Sequence, residues 1–125
     1  MSQQRALRAS LRADGVGTGI FGLFMLVGGQ GLADAIGVPG SWTVPIGLGM
    51  LGGAVLLLVF SGHPVLPPVA AAVNSVAAVA MVGLTLGGLL PLTGLGVAFM
   101  LAGAAWVTTF AVLVLVLLRR AEGTR

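Results

Sequence analysis

From Gly15 to Leu118 the chain carries a single formally charged side chain, Asp34. That feature leaves few folds open. A soluble domain has about 25% charged residues, whereas here they make up 7% and the mean hydropathy is +1.13. A water-exposed surface of this composition would present large apolar patches and aggregate. Lipid is therefore the expected solvent for most of the surface.

The apolar stretch divides at turn residues. Residues 15–33 rise through roughly 28 Å as a helix, close to the hydrocarbon core of about 30 Å. Asp34, Gly37, Pro39, Gly40 and Ser41 mark a loop. Three further runs follow, at about 42–60, 69–90 and 95–118, separated by the Pro-rich residues 61–68 and the tight turn Pro91-Leu92-Thr93-Gly94. Pro45 falls in the first turn of its run, where a missing N–H costs little. Strands seldom exceed ten residues, and membrane strands alternate in polarity. These runs are apolar on every face, and lipid demands that each backbone polar group be satisfied within its own segment. The expected fold is all-α: a polytopic membrane protein forming an antiparallel bundle of four transmembrane helices. Residues 1–14 read as a basic cytoplasmic leader, 15–118 as the transmembrane domain and 119–125 as a cytoplasmic tail.

All six basic residues are arginine, and all lie before the first run or after the fourth. The positive-inside rule then puts both termini on the cytoplasmic side of the cytoplasmic (inner) membrane. The loop after the first helix carries Asp34 and no arginine, as a translocated loop should, and Trp42 fits the outer interface belt. The polar start and long first run indicate an uncleaved anchor, not a signal peptide. Arg5, Arg8 and Arg12 recur at i, i+3 and i+7 beside Leu7 and Leu11. The leader reads either as a short helix at headgroup level or as a disordered tail. Arg5, Arg8, Arg12, Arg119 and Arg120 are candidate contacts for anionic lipid. The arginine excess points to topology and to the lipid bilayer as partner, with no nucleic-acid binding.

Without cysteine, thiolate chemistry and disulfides are excluded. His63 stands alone, without a second metal ligand nearby. Gly15-Val16-Gly17-Thr18-Gly19-Ile20 superficially resembles a dinucleotide fingerprint but follows no strand and begins an apolar span. No nucleophile–base pair is visible, so the reading is non-enzymatic, with no catalytic residues, cofactor or metal. Asp14 reads first as an N-cap of the first helix, its carboxylate accepting free N–H groups. The functional alternative is a cation partner at a pore mouth. Asn74 is the most polar side chain of the third run. It is expected either to clasp Thr108 or Thr109 on the fourth helix or, with them, to line a solute site. Trp106 lies mid-helix, as core packing or as a wall for a lipid-like ligand.

Lipid tails are as apolar as leucine, so helices in a membrane associate through close packing. Of 21 glycines most sit inside the runs. Gly15-xxx-Gly19, Gly49-xxx-Gly53 and Gly83-xxx-Gly87 match the small-xxx-small pattern, and Ala98-xxx-Ala102 extends it to the fourth helix. Such strips either pack the four helices together or mediate assembly with another chain. A faint correspondence between residues 31–37 and 88–94 hints at two hairpins in tandem.

The stretches Arg12-Ala13-Asp14-Gly15-Val16-Gly17-Thr18-Gly19, Gly31-Leu32-Ala33-Asp34-Ala35-Ile36-Gly37-Val38-Pro39 and Ala72-Val73-Asn74-Ser75 resemble small, uncharacterised tetraspan integral membrane proteins of high-GC bacteria. The resemblance implies a four-helix bundle in the cytoplasmic membrane and carries no catalytic residues over. The leading expectation for function is helix packing, as a homo-oligomer or as an accessory subunit of a larger membrane complex. Its rival is an oligomeric transporter or channel for a small neutral or lipid-like solute.

Overall fold

A computed structural model describes residues 2–123 and, among them, only helices and turns. Helix α1 spans Ser2–Ile36, α2 Thr43–Val59, α3 Leu66–Leu86 and α4 Gly94–Gly123, with a short 3-10 turn at Gly40–Trp42. Each of the four is long and apolar enough to cross a membrane. At most 22% of the most apolar stretch of any helix is buried inside the bundle. Val27 is 86% exposed and Val79 74%. This is the surface of a multi-pass membrane protein, in which hydrocarbon and not water meets the outer side chains.

The ends depart from expectation. Helix α1 begins at Ser2, so the basic segment forms its first three turns and is not a separate leader lying at headgroup level. Its arginines face outward, while Leu7 and Leu11 are buried against Leu57, Ala70, Ala71, Val114 and Leu117. Helix α4 likewise continues to Gly123 through the expected tail, of which Thr124 and Arg125 lie outside the described residues.

Glycine decides two places in the connections. Gly29 (φ 48°, ψ −133°) breaks α1 one turn before Ala33, a conformation that side-chain-bearing residues rarely adopt. Gly37 (φ 82°) ends α1 in the left-handed region, and the N–H groups of Gly37 and Val38 both reach the Ala33 carbonyl, at 2.8 and 3.0 Å. A Cβ on Gly37 would also strike the backbone of Pro91 and Leu92. Helix α3 opens with Pro67 and Pro68 in its first turn, where their missing N–H groups would be unpaired anyway. Thr93 opens α4 and ties it to α1. Its hydroxyl accepts from the N–H of Gly96 (3.0 Å) and donates to the Ala35 carbonyl (2.6 Å), and its own N–H donates to the Ile36 carbonyl (3.2 Å).

Helix α1 packs along α2 and α4, and α4 packs along α3. Small residues make these contacts close. A Cβ on Gly22 would stand 3.0 Å from the Gly47 carbonyl oxygen, and one on Gly47 3.0 Å from that of Gly22. Gly96 lies against the backbone of Ile36, and Gly103 against the Met81 thioether. Of the expected strips, Gly15-xxx-Gly19 does pack within the bundle, on Ala54 and Leu57. Helices α2 and α3, although consecutive, scarcely meet. The buried core is accordingly split. One cluster surrounds Leu11 where α1 begins and α4 ends; the other surrounds Ile36, Ala33 and Val38 at the opposite end.

Candidate functional site: a buried carboxylate in the wall of an apolar cleft

Because α1 starts at Ser2, Asp14 lies more than three turns inside it and is no N-cap. The side chain is 2% exposed. A carboxylate so placed needs partners, since an unpaired buried polar group costs about 1–3 kcal/mol and a charged one more. It has three. Thr18, one turn further along α1, donates its hydroxyl to Oδ1 at 3.1 Å. Asn74 of α3 donates Nδ2–H to Oδ2 at 2.9 Å, and Trp106 of α4 donates Nε1–H to Oδ1 at 3.3 Å. Three of the four helices thus meet at one acid. All three donors are neutral.

Gly17 makes the Trp106 contact geometrically accessible. A Cβ there would fall on Cζ2 of the indole, with Cη2 at 2.6 Å and Cε2 at 2.9 Å. The indole therefore lies flush on the backbone of α1. Phe21, one turn beyond, packs edge-on to both Trp106 (centroids 6.5 Å apart) and Phe99 (6.1 Å), and Phe110 stacks at a tilt on Trp106 at 4.9 Å.

The acid faces a cleft. Where α2 and α3 fail to meet, a cavity of about 520 Å³ runs between them, backed by α1 and α4. Drug-sized ligand pockets span about 300–1,000 Å³. Leu57 and Leu66 line the end nearest the α2–α3 loop, and Val38 and Trp42 the far end. Its carboxylate, hydroxyl and amide side chains, Asp14, Thr18 and Asn74, belong with the indole N–H of Trp106 to the cluster just described, while the Trp42 indole stands at the far end. Met25, Met50, Met81 and Met100, every methionine among the described residues, also line it. Thioether side chains are flexible and polarizable and adapt to irregular apolar shapes. Gly49 and Gly53 face the same space, with nothing within 4 Å of where a Cβ would stand.

The other candidate residues scatter. Asn74 turns to Asp14 and not to Thr108 or Thr109. Both threonines are exposed, and the Thr109 hydroxyl donates to the Ala105 carbonyl of its own helix. Gly83 is exposed on α3 with open space around it, Gly87 closes the end of that helix, and Ala98 and Ala102 face outward. Arg12 donates Nε–H to the Ser61 hydroxyl at 3.2 Å, and the Arg8 guanidinium lies over Gly62, so both hold the α2–α3 loop. Arg5, Arg119 and Arg120 are exposed. His63 accepts a bond from the Val65 N–H at Nδ1 within that loop. Thr18 was given no site role in the sequence reading, and Phe21 had no part in it. The Asp14-xxx-Thr18 spacing, which places both on one helical face, is the signal that reveals the first.

No family model, curated protein or solved structure matches this chain.

Proposed function

We propose that this chain is a non-enzymatic membrane protein that holds a small lipid-like solute in the cleft between α2 and α3, as a binding protein or as one protomer of a transporter. The observation that carries the reading is the cleft itself: about 520 Å³, apolar and methionine-rich, with its carboxylate, amide and hydroxyl side chains gathered at Asp14. Binding sites combine this kind of apolar lining with a few convergent polar groups. An ionisable side chain within a membrane-spanning bundle is costly to bury and marks a functional site by default. The arginines precede the first apolar run or follow Leu118, which supports placing both termini on the cytoplasmic side of the cytoplasmic membrane. In that placement the antiparallel bundle carries Asp14 near the cytoplasmic edge of the hydrocarbon. The likeness to small tetraspan proteins of high-GC bacteria belongs to the same proposal, supported by the number and spacing of the helices.

The test is mass spectrometry of the protein released from mild detergent. A lipid or lipid-like solute should accompany the native chain at fixed stoichiometry. It should be lost from Gly53→Leu, which fills the cleft at a position where the fold has room. A solute-free native chain, or a solute retained equally by Gly53→Leu, would remove the cleft from consideration.

One observation favours a second reading. Gly83 is exposed on α3 and free of any neighbour, so that face offers a close approach to a second copy or to a larger partner. Gly83→Leu should then reduce the size of the particle in mild detergent; an unchanged size argues against assembly through this face.

A further inference from the structure

We infer that the solute of this cleft is a lipophilic monocation, of quaternary-ammonium type, seated with its charge at the Asp14 carboxylate, beside Phe21 and Trp106 in the cleft wall. The inference rests on the cleft being a solute site, and adds the sign of the charge that the site selects.

Among the described residues that line the cleft, Asp14 is the one that is formally charged. Its three partners satisfy its oxygens by hydrogen bonds but bring no opposite charge. In a medium of low dielectric, a carboxylate without a counter-charge attracts a cation far more strongly than it would in water. The nearby basic side chains are turned elsewhere: Arg12 bonds Ser61, and Arg8 covers Gly62. The cleft wall beside the acid is aromatic, with Phe21, Phe99 and Trp106 all lining it. Aromatic-lined pockets are the usual receptors for quaternary ammonium groups. The methionines leave the shape of the apolar body loosely specified while the acid fixes the sign of its charge.

The experiment uses the full chain in nanodiscs of zwitterionic lipid, with Trp42→Phe leaving Trp106 as its sole indole. Two single-chain amphiphiles of equal length are compared at matched mole fractions in the bilayer. Each bears bromine next to the headgroup; one headgroup is trimethylammonium and the other an uncharged hydroxyl. The cation should quench Trp106 at about tenfold lower mole fraction than the neutral chain, the ratio that corresponds to about 1.4 kcal/mol. Asp14→Asn should abolish that preference and leave quenching by the neutral chain in place. Equal quenching by both amphiphiles in the parent protein overturns the charge assignment while leaving the cleft as a solute site. A preference that persists in Asp14→Asn overturns the role of Asp14. Quenching by neither removes the solute site itself, and with it the inference. If Asp14→Asn does not fold, the pair of amphiphiles on the parent protein decides alone.

Discussion

Gly17→Ala should uncouple Trp106 from Asp14, and its size follows from the contact geometry. The new methyl group would stand 2.6 Å from Cη2 and 2.9 Å from Cε2 of the indole, and closer still to Cζ2. Carbon atoms pack at about 3.5–4.0 Å, so the ring must retreat by about 1 Å or more. The Nε1–Oδ1 separation then grows from 3.3 Å to beyond roughly 4 Å, too long for a hydrogen bond. Overpacking of this kind costs about 1–3 kcal/mol, and an interhelical hydrogen bond in a membrane bundle is worth about 0.6 kcal/mol. Replacing glycine by alanine inside a helix returns up to about 1 kcal/mol. Gly49→Ala supplies that last effect alone, because its Cβ meets open space in the cleft. The difference between the two variants, in which helix propensity cancels, should be roughly 1.5–3.5 kcal/mol. Reversible unfolding by SDS in mixed micelles, followed by far-ultraviolet circular dichroism, measures it. Trp106 emission in a Trp42→Phe background should also shift in Gly17→Ala and stay fixed in Gly49→Ala. Equal stabilities, or an unmoved Trp106 emission in Gly17→Ala, would refute the packing of the indole on α1.

Two further expectations use the same titration. Gly96→Ala forces a methyl group into the backbone of Ile36 and should cost about 3 kcal/mol, since neither helix backbone can yield as a side chain would; a loss below that of Gly17→Ala would argue against the close α1–α4 contact. Thr93→Val keeps the shape but removes the hydroxyl that caps α4 and binds Ala35, and should cost about 1–2 kcal/mol.

The helices themselves were legible in the sequence, because apolarity over whole runs needs no knowledge of neighbours. Their ends were less so. Leu7 and Leu11 at helical spacing were visible, but their burial depends on Val114 and Leu117, more than a hundred residues away. The polar appearance of the first fourteen residues therefore concealed three turns of α1. Asp14 was misread for the same reason: with the helix placed at Gly15 it becomes a cap, and with the helix at Ser2 it becomes an interior acid. Asn74 was singled out as a polar side chain in need of a partner, but periodicity does not say which helix supplies one. The cleft was not legible at all. It exists because α2 and α3 do not pack, and helices of near-uniform apolarity carry no pattern that marks which pair will stay apart. The open space at Gly49 and Gly53 has the same origin: a small-xxx-small strip shows where a helix can be approached, and not whether anything approaches it.

Chemical modification of the carboxyl groups tests the burial of Asp14 most directly. The chain has three acidic side chains, Asp14, Asp34 and Glu122; the first is 2% exposed and the other two are exposed. In membranes at mildly acidic pH, a lipophilic carbodiimide should form its N-acylurea adduct at Asp14, located by peptide mass spectrometry. A water-soluble carbodiimide should modify Asp34 and Glu122 and spare Asp14. Modification of Asp14 by the water-soluble reagent as readily as Asp34 would place that acid in water, at a helix cap, and leave the cleft without its polar centre.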